Sequence, residues 1–501
     1  MHVRPGGGPV IAFEGASFSY GVQLASGYAG VRDVSFSVAP GEVVVLCGRS
    51  GCGKSTLLRL ANGLAPRFFP GEKGGCVSLD GDEVDGLATW EIAQRAGSLF
   101  QNPRTQFFNV DSTGEVAFAL ESAGWPEDAI RTHVRETFEE LGLASLAGRG
   151  IFGLSGGERQ RIAFASIWAA RPANLLLDEP TSNLDLPSIR ELAAFVRHAK
   201  EAGCAVLVAE HRLSWLSGIA DRYVYLEDGR VSRVMDATAL AALDVTEVER
   251  MGLRARNLDE VTTSGCATSG SRPVLAVQGL SVSYGTRPVL HDIMMDLRAG
   301  EVTALVGRNG AGKTTLCRAL CGFDRRARGT VKIDGVAASR KARTRASSMV
   351  FQDVNYQLFA ESVAEEVTFG LSRRRAAGVD VARILSGLAL AGLEERHPAT
   401  LSGGQKQRLA VTACVAADKR VLVFDEPTSG LDLDGMRRIV RLLGSLAAQG
   451  RAVLVVTHDL ELVAAACGCV LCARDGGICS PVAVDTQFDL VKEMMGADAP
   501  R

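Results

Sequence analysis

Gly48-Arg49-Ser50-Gly51-Cys52-Gly53-Lys54-Ser55-Thr56 follows the apolar run Val43-Val44-Val45-Leu46. The same order returns at Gly307-Arg308-Asn309-Gly310-Ala311-Gly312-Lys313-Thr314-Thr315, after Val302-Thr303-Ala304-Leu305-Val306. An apolar run ahead of a glycine-rich turn that opens a helix is the setting in which backbone N–H groups converge on phosphate oxygens and the helix N-terminus adds partial positive charge. In that reading Lys54 and Lys313 reach the β and γ phosphates of a nucleoside triphosphate, and Ser55 and Thr314 face Mg²⁺. A glycine-rich turn with no ligand is the plainer alternative, but it does not account for two occurrences in the same strand and helix context.

The duplication extends outward from the loops. Leu175-Leu176-Leu177-Asp178-Glu179-Pro180 is matched by Val421-Leu422-Val423-Phe424-Asp425-Glu426-Pro427, and His211 and His458 end two further apolar runs. The aspartates and the histidines recur at equal intervals, so the copies are similar in size. An aspartate closing a buried strand suits Mg²⁺ held through water, and the next glutamate, Glu179 or Glu426, is placed to polarise an attacking water. Taken alone, each could be a solvated acidic turn. The boundaries expected from the repeat are a first domain over 1–250, a linker over 251–273 and a second domain over 274–501. The stretch from Thr262 to Pro273 is small, polar and glycine-containing, as linkers are. Apolar runs at Leu175 to Leu177, Ala205 to Val208, Val421 to Phe424 and Ala452 to Val456, alternating with helical patterns, predict a largely parallel sheet covered on both faces. Segments Asp128 to Leu143 and Val381 to Leu393 have helical spacing and read as an inserted helical part in each copy.

The 501 residues are 47% hydrophobic and 22% charged, ordinary globular proportions, and the net charge of −2 calls for no polyanionic partner. Basic clusters at Arg325-Arg326-Arg328, Arg340-Lys341-Arg343-Arg345 and Arg373-Arg374-Arg375 are short enough to be solvated faces, so nucleic-acid binding is not expected. No run reaches about 18 uninterrupted apolar residues and the first residues have no apolar core of a signal peptide, so a cytosolic chain that does not itself enter a membrane is expected. The 12 cysteines are scattered, several of them within motif strands and helices, which suits a reducing compartment. Cys467, Cys469 and Cys472 lie in an apolar stretch with no second cluster to complete a tetrahedral metal site, and read as buried thiols.

Leu154-Ser155-Gly156-Gly157-Glu158-Arg159-Gln160-Arg161 and Leu401-Ser402-Gly403-Gly404-Gln405-Lys406-Gln407-Arg408 complete the set. A serine and two glycines opening a helix offer a hydroxyl, close-approaching amides and a helix N-terminus to an anion. Together with the phosphate loops they resemble the ABC ATPases. That resemblance implies an α/β fold of two P-loop ABC ATPase modules, each a mostly parallel sheet core with an antiparallel β part and an inserted α-helical subdomain. It implies ATP and Mg²⁺ as ligands, and signature residues Ser155, Gly156, Gly157, Glu158, Ser402, Gly403, Gly404 and Gln405 that meet the nucleotide held by the opposite module. One site would then pair Lys54 with Ser402 and the other Lys313 with Ser155. His211 and His458 correspond to the family's switch histidine, which holds the γ-phosphate. Gln101 and Gln352 correspond to its glutamine-loop residue, which senses Mg²⁺ and faces the membrane partner. Tyr20 and Tyr284 look like the aromatic residue that stacks on adenine, although a strand tyrosine is commonly packing. Both copies keep lysine, aspartate, glutamate, histidine and serine. Glu210 stands where the second copy has Thr457, which makes the two histidine segments chemically unequal.

Gln101-Asn102-Pro103-Arg104-Thr105-Gln106-Phe107-Phe108 and Gln352-Asp353-Val354-Asn355-Tyr356-Gln357-Leu358-Phe359, followed by Val116-Ala117-Phe118 and Val367-Thr368-Phe369-Gly370, resemble the energy-coupling factor (ECF) importer ATPases. The segment after Phe108 and the Asp353-Val354 pair depart from that family's pattern. The resemblance implies a fused ATPase pair at the cytoplasmic face of the cell membrane. Its partners would be a transmembrane coupling protein and a small substrate-binding membrane protein, and its cargo a vitamin, a vitamin precursor or a metal ion. Phe107, Phe108, Leu358 and Phe359 either line the partner groove or are core. A soluble tandem ABC protein of translation or mechanical function is the alternative, although its usual long charged linker is missing here. The ATPase of another importer class is a third reading.

Overall fold

The computed structural model describes residues 10–21, 30–101, 106–182, 184–263 and 272–497. The chain divides into two compact units, Met1–Asn257 and Leu258–Arg501. Within the stretch expected to be linker, Met251 and Leu253 are buried in the core of the first unit, and the Arg254 side chain is only 1% exposed. Most of the polar Thr262 to Pro273 run, and the N-terminal stretch judged for a signal peptide, lie outside the described residues. Among the described residues no helix is long and apolar enough to cross a membrane.

Each unit is an α/β module with the same plan. In the first, a six-stranded sheet runs in the order Arg230–Asp236, Arg222–Glu227, Val43–Gly48, Ala205–Ala209, Asn174–Asp178, Ala96–Leu99. All neighbours are parallel except the outer hairpin of Arg222–Glu227 and Arg230–Asp236. The central strands bury every residue of Val43–Gly48 and Ala205–Ala209, as a sheet covered on both faces demands. The second unit repeats the parallel core with Ser347–Val350, Val421–Asp425, Ala452–Val456, Val302–Val306 and Cys469–Arg474. A separate four-stranded antiparallel sheet accompanies each core, built on the long strands Ile11–Tyr20 and Pro273–Tyr284.

The strand-to-loop transition is fixed by close backbone approach. Gly48 and Gly307 have φ of +139° and +134°, and a Cβ on either would stand 2.3 Å from the carbonyl oxygen of Leu226 or Ala473 on the adjoining strand. Only glycine fits there. The expected inserted helices are present: Ser112–Ser122, Glu127–Glu140 and Gly156–Trp168 in the first unit, packed through Val116, Leu120, Phe138 and Ile162. The second unit has a shorter set, Val363–Thr368, Val381–Gly387 and Gly403–Ala416, around Val367, Leu385 and Leu409. The helical spacing read through Leu393 breaks at Gly387, after which Ala389 turns left-handed at φ 52°. Cys467 is buried, while Cys469 and Cys472 are half-buried in the strand Cys469–Arg474, where burial pushes the Cys469 thiol up to about 12.

Candidate functional site

Each glycine-rich loop wraps its own lysine. Gly53 and Gly312 cap the helices Lys54–Ala61 and Lys313–Leu320 with left-handed backbones, so both lysines begin a helix beneath the loop. The Lys54 ammonium donates to the carbonyls of Gly48 at 3.0 Å and Arg49 at 3.2 Å, and Lys313 to those of Gly307 at 2.6 Å and Arg308 at 3.0 Å. Both side chains are almost wholly buried. The next residue binds the strand-end aspartate: the Ser55 hydroxyl donates to Asp178 Oδ1 at 2.8 Å, and the Thr314 hydroxyl to Asp425 Oδ2 at 2.9 Å. Hydroxyl and carboxylate oxygens set side by side, next to a buried lysine, form the hard-oxygen donor set that suits Mg²⁺.

Burial raises the carboxyls of Asp178 and Asp425, and the neighbouring hydroxyl and lysine oppose that rise. Glu179 is pushed up to about 8, first by burial and then by the Asp178 carboxylate, against the pull of Lys54. His211 Nε2 stands 3.6 Å from Glu179 Oε1, and His458 Nε2 stands 3.7 Å from Glu426 Oε1. Burial, with Lys54 and Arg254 nearby, holds His211 well below the ordinary histidine range, so its imidazole is neutral. His458 Nε2 also shares a 3.2 Å contact with Asn309 Oδ1 of its own phosphate loop. Gln101 Nε2 donates to Glu179 Oε2 at 2.7 Å. Gln352 differs: its residue is exposed, and its side chain makes no hydrogen bond among the described residues. Lysine, hydroxyl, aspartate, glutamate and histidine therefore converge within each unit, and the glutamine joins them in the first.

The signature serines are helix caps. Ser155 Oγ accepts the Glu158 amide at 3.3 Å while Glu158 accepts the Ser155 amide at 2.7 Å. Ser402 and Gln405 form the same reciprocal pair at 3.3 and 2.9 Å. Such a capping box fixes where each helix begins and aims its N-terminus outward. The tyrosines are not equivalent. Tyr20 shares a 3.1 Å hydrogen bond with Thr56 Oγ1 and accepts from Arg59 at 2.9 Å, which ties its ring to the phosphate-loop helix. Tyr284 donates to Asp324 at 2.9 Å, and the Arg326 guanidinium lies 4.8 Å from its ring centroid.

The segments after the glutamines resolve into inward and outward residues. Gln106 Oε1 accepts the Phe100 amide at 3.3 Å and its Nε2 donates to the Ser98 carbonyl at 3.1 Å, so the side chain serves the edge strand Ala96–Leu99 as a neighbouring strand would. Gln357 accepts the Phe351 amide at 2.7 Å. Phe107 and Leu358 pack against the cores, while Phe108 is 74% and Phe359 67% exposed. Residues 102–105 lie outside the described residues. Sequence reasoning missed the carboxylates that hold these tips: Glu115 Oε2 accepts the amides of Phe108 at 3.0 Å and Asn109 at 2.8 Å, and Glu366 Oε2 those of Phe359 at 2.7 Å and Ala360 at 2.8 Å. Both glutamates are 2% exposed. Their signal was an acidic residue recurring one position before Val116 and Val367. Beside Phe108, a groove of about 260 Å³ opens between the sheet core and the helical part of the first unit, with Leu64, Ile92, Phe100, Phe118 and Ile167 in its walls.

Comparison with known proteins places this geometry. The sequence profile of the ABC transporter family matches residues 31–182 and 290–429. A "Putative ABC transporter ATP-binding protein" of Treponema denticola is 40% identical over 491 residues, spanning 97% of this chain and 99% of the relative. The "Putative HMP/thiamine import ATP-binding protein YkoD" of Bacillus subtilis is 33% identical over 476 residues, spanning 89% and 87%. Among solved structures, the archaeal ribosome recycling factor aABCE1, determined in complex with the ribosomal stalk protein aP1, matches with a TM-score of 0.64 at 22% identity, over 96% of this chain and 92% of that one. At that identity the likeness is one of fold.

Proposed function

The chain belongs to the ABC transporter family, whose paired modules hydrolyse ATP with Mg²⁺, and from that premise we propose that it is the energy-coupling ATPase of an ECF-type importer. The observation that carries the reading is the pair of outward aromatic tips, Phe108 and Phe359, each fixed by a buried glutamate directly after a glutamine segment of the ECF kind. An exposed aromatic held rigid at the mouth of an apolar groove is what a helix of a membrane partner needs as an anchor. The thiamine-related name of the Bacillus subtilis relative supports the same direction, toward uptake of a vitamin, a vitamin precursor or a metal ion. On this reading the chain works at the cytoplasmic face of the membrane, with a transmembrane coupling protein and a small substrate-binding membrane protein.

In the proposed cycle, Lys54 and Lys313 turn from their loop carbonyls to the β and γ phosphates of ATP. Ser55 with Asp178, and Thr314 with Asp425, would hold Mg²⁺, whose charge would offset that of the transferring phosphoryl group. Gln101 and Gln352 sense that ion, Glu179 and Glu426 orient the attacking water, and neutral His211 and its counterpart His458 hold the γ-phosphate. Tyr20 and Tyr284 stack on adenine. Ser155 and Ser402 present their helix N-termini to the nucleotide bound by the other unit, so two ATP close the units head to tail and hydrolysis releases them.

The modules of a ribosome recycling factor share this fold, so a soluble, non-transport role is the competing reading. Affinity purification of the full chain from membranes separates the two. Recovery with a polytopic membrane protein and a small binding protein carrying a vitamin-like molecule or a metal ion supports the importer. Recovery with ribosomes and no integral protein refutes it.

A further inference from the structure

The two histidine segments carry their acidic residue on opposite sides of the histidine: Glu210-His211-Arg212 in the first unit, Thr457-His458-Asp459 in the second. One requirement is met either way. The Thr181 hydroxyl donates to Glu210 Oε2 at 2.6 Å, and the matching Thr428 hydroxyl donates to Asp459 Oδ2 at 2.8 Å. What changes is where the histidine amide goes. In the second unit His458 N and the Thr457 hydroxyl both donate to Glu426 Oε2, each at 3.4 Å, so the segment that bears the histidine also touches the candidate base. In the first unit His211 N donates to Glu210 Oε1 at 2.7 Å and Arg212 N to the same oxygen at 3.1 Å.

Glu210 is 2% exposed and also takes the Trp215 indole N–H at 3.3 Å. Two amides, a hydroxyl and an indole match the roughly four acceptor positions of a carboxylate, so the side chain is fully committed and its geometry fixed. Glu179 is correspondingly held from another direction, by Gln101 Nε2 at 2.7 Å. Among the described residues no such bond reaches Gln352, which is exposed.

We propose that Glu210 is a positioning residue that makes the two sites answer to different inputs. By drawing the histidine segment onto itself, it leaves Glu179 under the control of the glutamine loop, whereas Glu426 is held by its own histidine segment. A displacement of the Gln101 side chain then reaches the first site's water-orienting carboxylate directly through their hydrogen bond, and among the described residues the second site shows no such link. This rests on the reading of Glu179 and Glu426 as bases, which Glu179→Gln and Glu426→Gln test separately.

The test is a substitution cycle on the full chain, reading kcat and KM for ATP hydrolysis. In the wild type, Gln101→Ala lowers kcat by on the order of tenfold with little change in KM, the pattern of an interaction used in the transition state. In the Glu210→Thr/Arg212→Asp background, which installs the second unit's arrangement, the same Gln101→Ala change costs less than about twofold. The reciprocal transplant, Thr457→Glu/Asp459→Arg, makes Gln352→Ala more costly than it is in the wild type, and it decides the matter if the first swap fails to fold. Equal effects of Gln101→Ala in both backgrounds, including no effect in either, overturn the proposal. A loss confined to KM assigns Glu210 to nucleotide binding and overturns it as well.

Discussion

Glu179 and Glu426 share a backbone setting that side chains seldom enter, with φ of 44° and 52°. Each is locked there by its amide, which donates to the last carbonyl of the adjoining strand, Ala209 at 2.8 Å or Val456 at 2.9 Å. Strain of this kind is worth holding where a side chain must point in one direction. Changing both glutamates to glutamine keeps the shape and removes the base. Hydrolysis should fall by about 10²- to 10⁴-fold while ATP binding survives, and unchanged turnover would contradict the assignment. The raised Glu179 carboxyl gives a second expectation. The folded protein keeps its proton through a range where the unfolded chain, at the ordinary 4.5, has lost it. Stability from this group is therefore complete below about pH 4.5 and lost as the pH rises to about 8. Without nucleotide or Mg²⁺, the wild type should lose stability relative to Glu179→Gln by on the order of a few kcal/mol between about pH 5 and pH 8. Denaturant titrations at the two pH values measure it, and a pH-independent difference would exclude it. The lysine, hydroxyl, aspartate and glutamate of this centre were legible from their order along the chain, because a phosphate loop and an acidic strand end each carry their own chemistry, whereas the histidines were legible only through the resemblance to the ABC ATPases. Glu210 was legible only as an unexpected letter. Three of its four donors lie within five residues of it, at His211, Arg212 and Trp215, and the fourth, Thr181, comes from a segment that only folding brings near.

At the scale of elements, the glutamine segments divide the readable from the unreadable. Their resemblance to the glutamine segments of ECF importer ATPases implied a contact region, yet left Phe107, Phe108, Leu358 and Phe359 undecided between core and groove. Folding splits each pair, one side chain inward and one outward, because Glu115 and Glu366 seize the backbone at the turn. A buried carboxylate serving two amides cannot be lost cheaply. Glu115→Ala should cost about 1–3 kcal/mol and increase amide hydrogen exchange at Phe108 and Asn109 before it affects the strand Asn174–Asp178. Exchange unchanged at those two amides would refute the clasp. The parallel cores were legible for the opposite reason: runs such as Ala205 to Val208 are apolar on both faces and need no long-range partner to be recognised as buried strands. The antiparallel sheets, with alternating and bulged strands such as Ile11–Tyr20, gave a weaker local signal.

At the scale of the molecule, the proposed pairing of a lysine from one unit with a signature serine from the other makes a directional prediction. Ser155→Arg puts a bulky cation at the N-terminus of the helix Gly156–Trp168. It should cripple the site that contains Lys313 more than the one that contains Lys54. Nucleotide trapping resolved by site, with each lysine substituted in turn, measures this, and the reverse order would rule out the head-to-tail arrangement. The chain's own repeat made the expectation possible, since each module alone supplies half of each proposed site.

The clasp at Phe108 also has a mechanical meaning. Its ring stacks on Phe118 at 5.0 Å between centroids, and its amide is held by Glu115, so side chain and backbone are both fastened to the helix Ser112–Ser122. If a partner docks on that ring, as proposed, a load there would reach the helix Ser112–Ser122 through two fastenings, the ring stack and the carboxylate, as a load reaches one end of a strut.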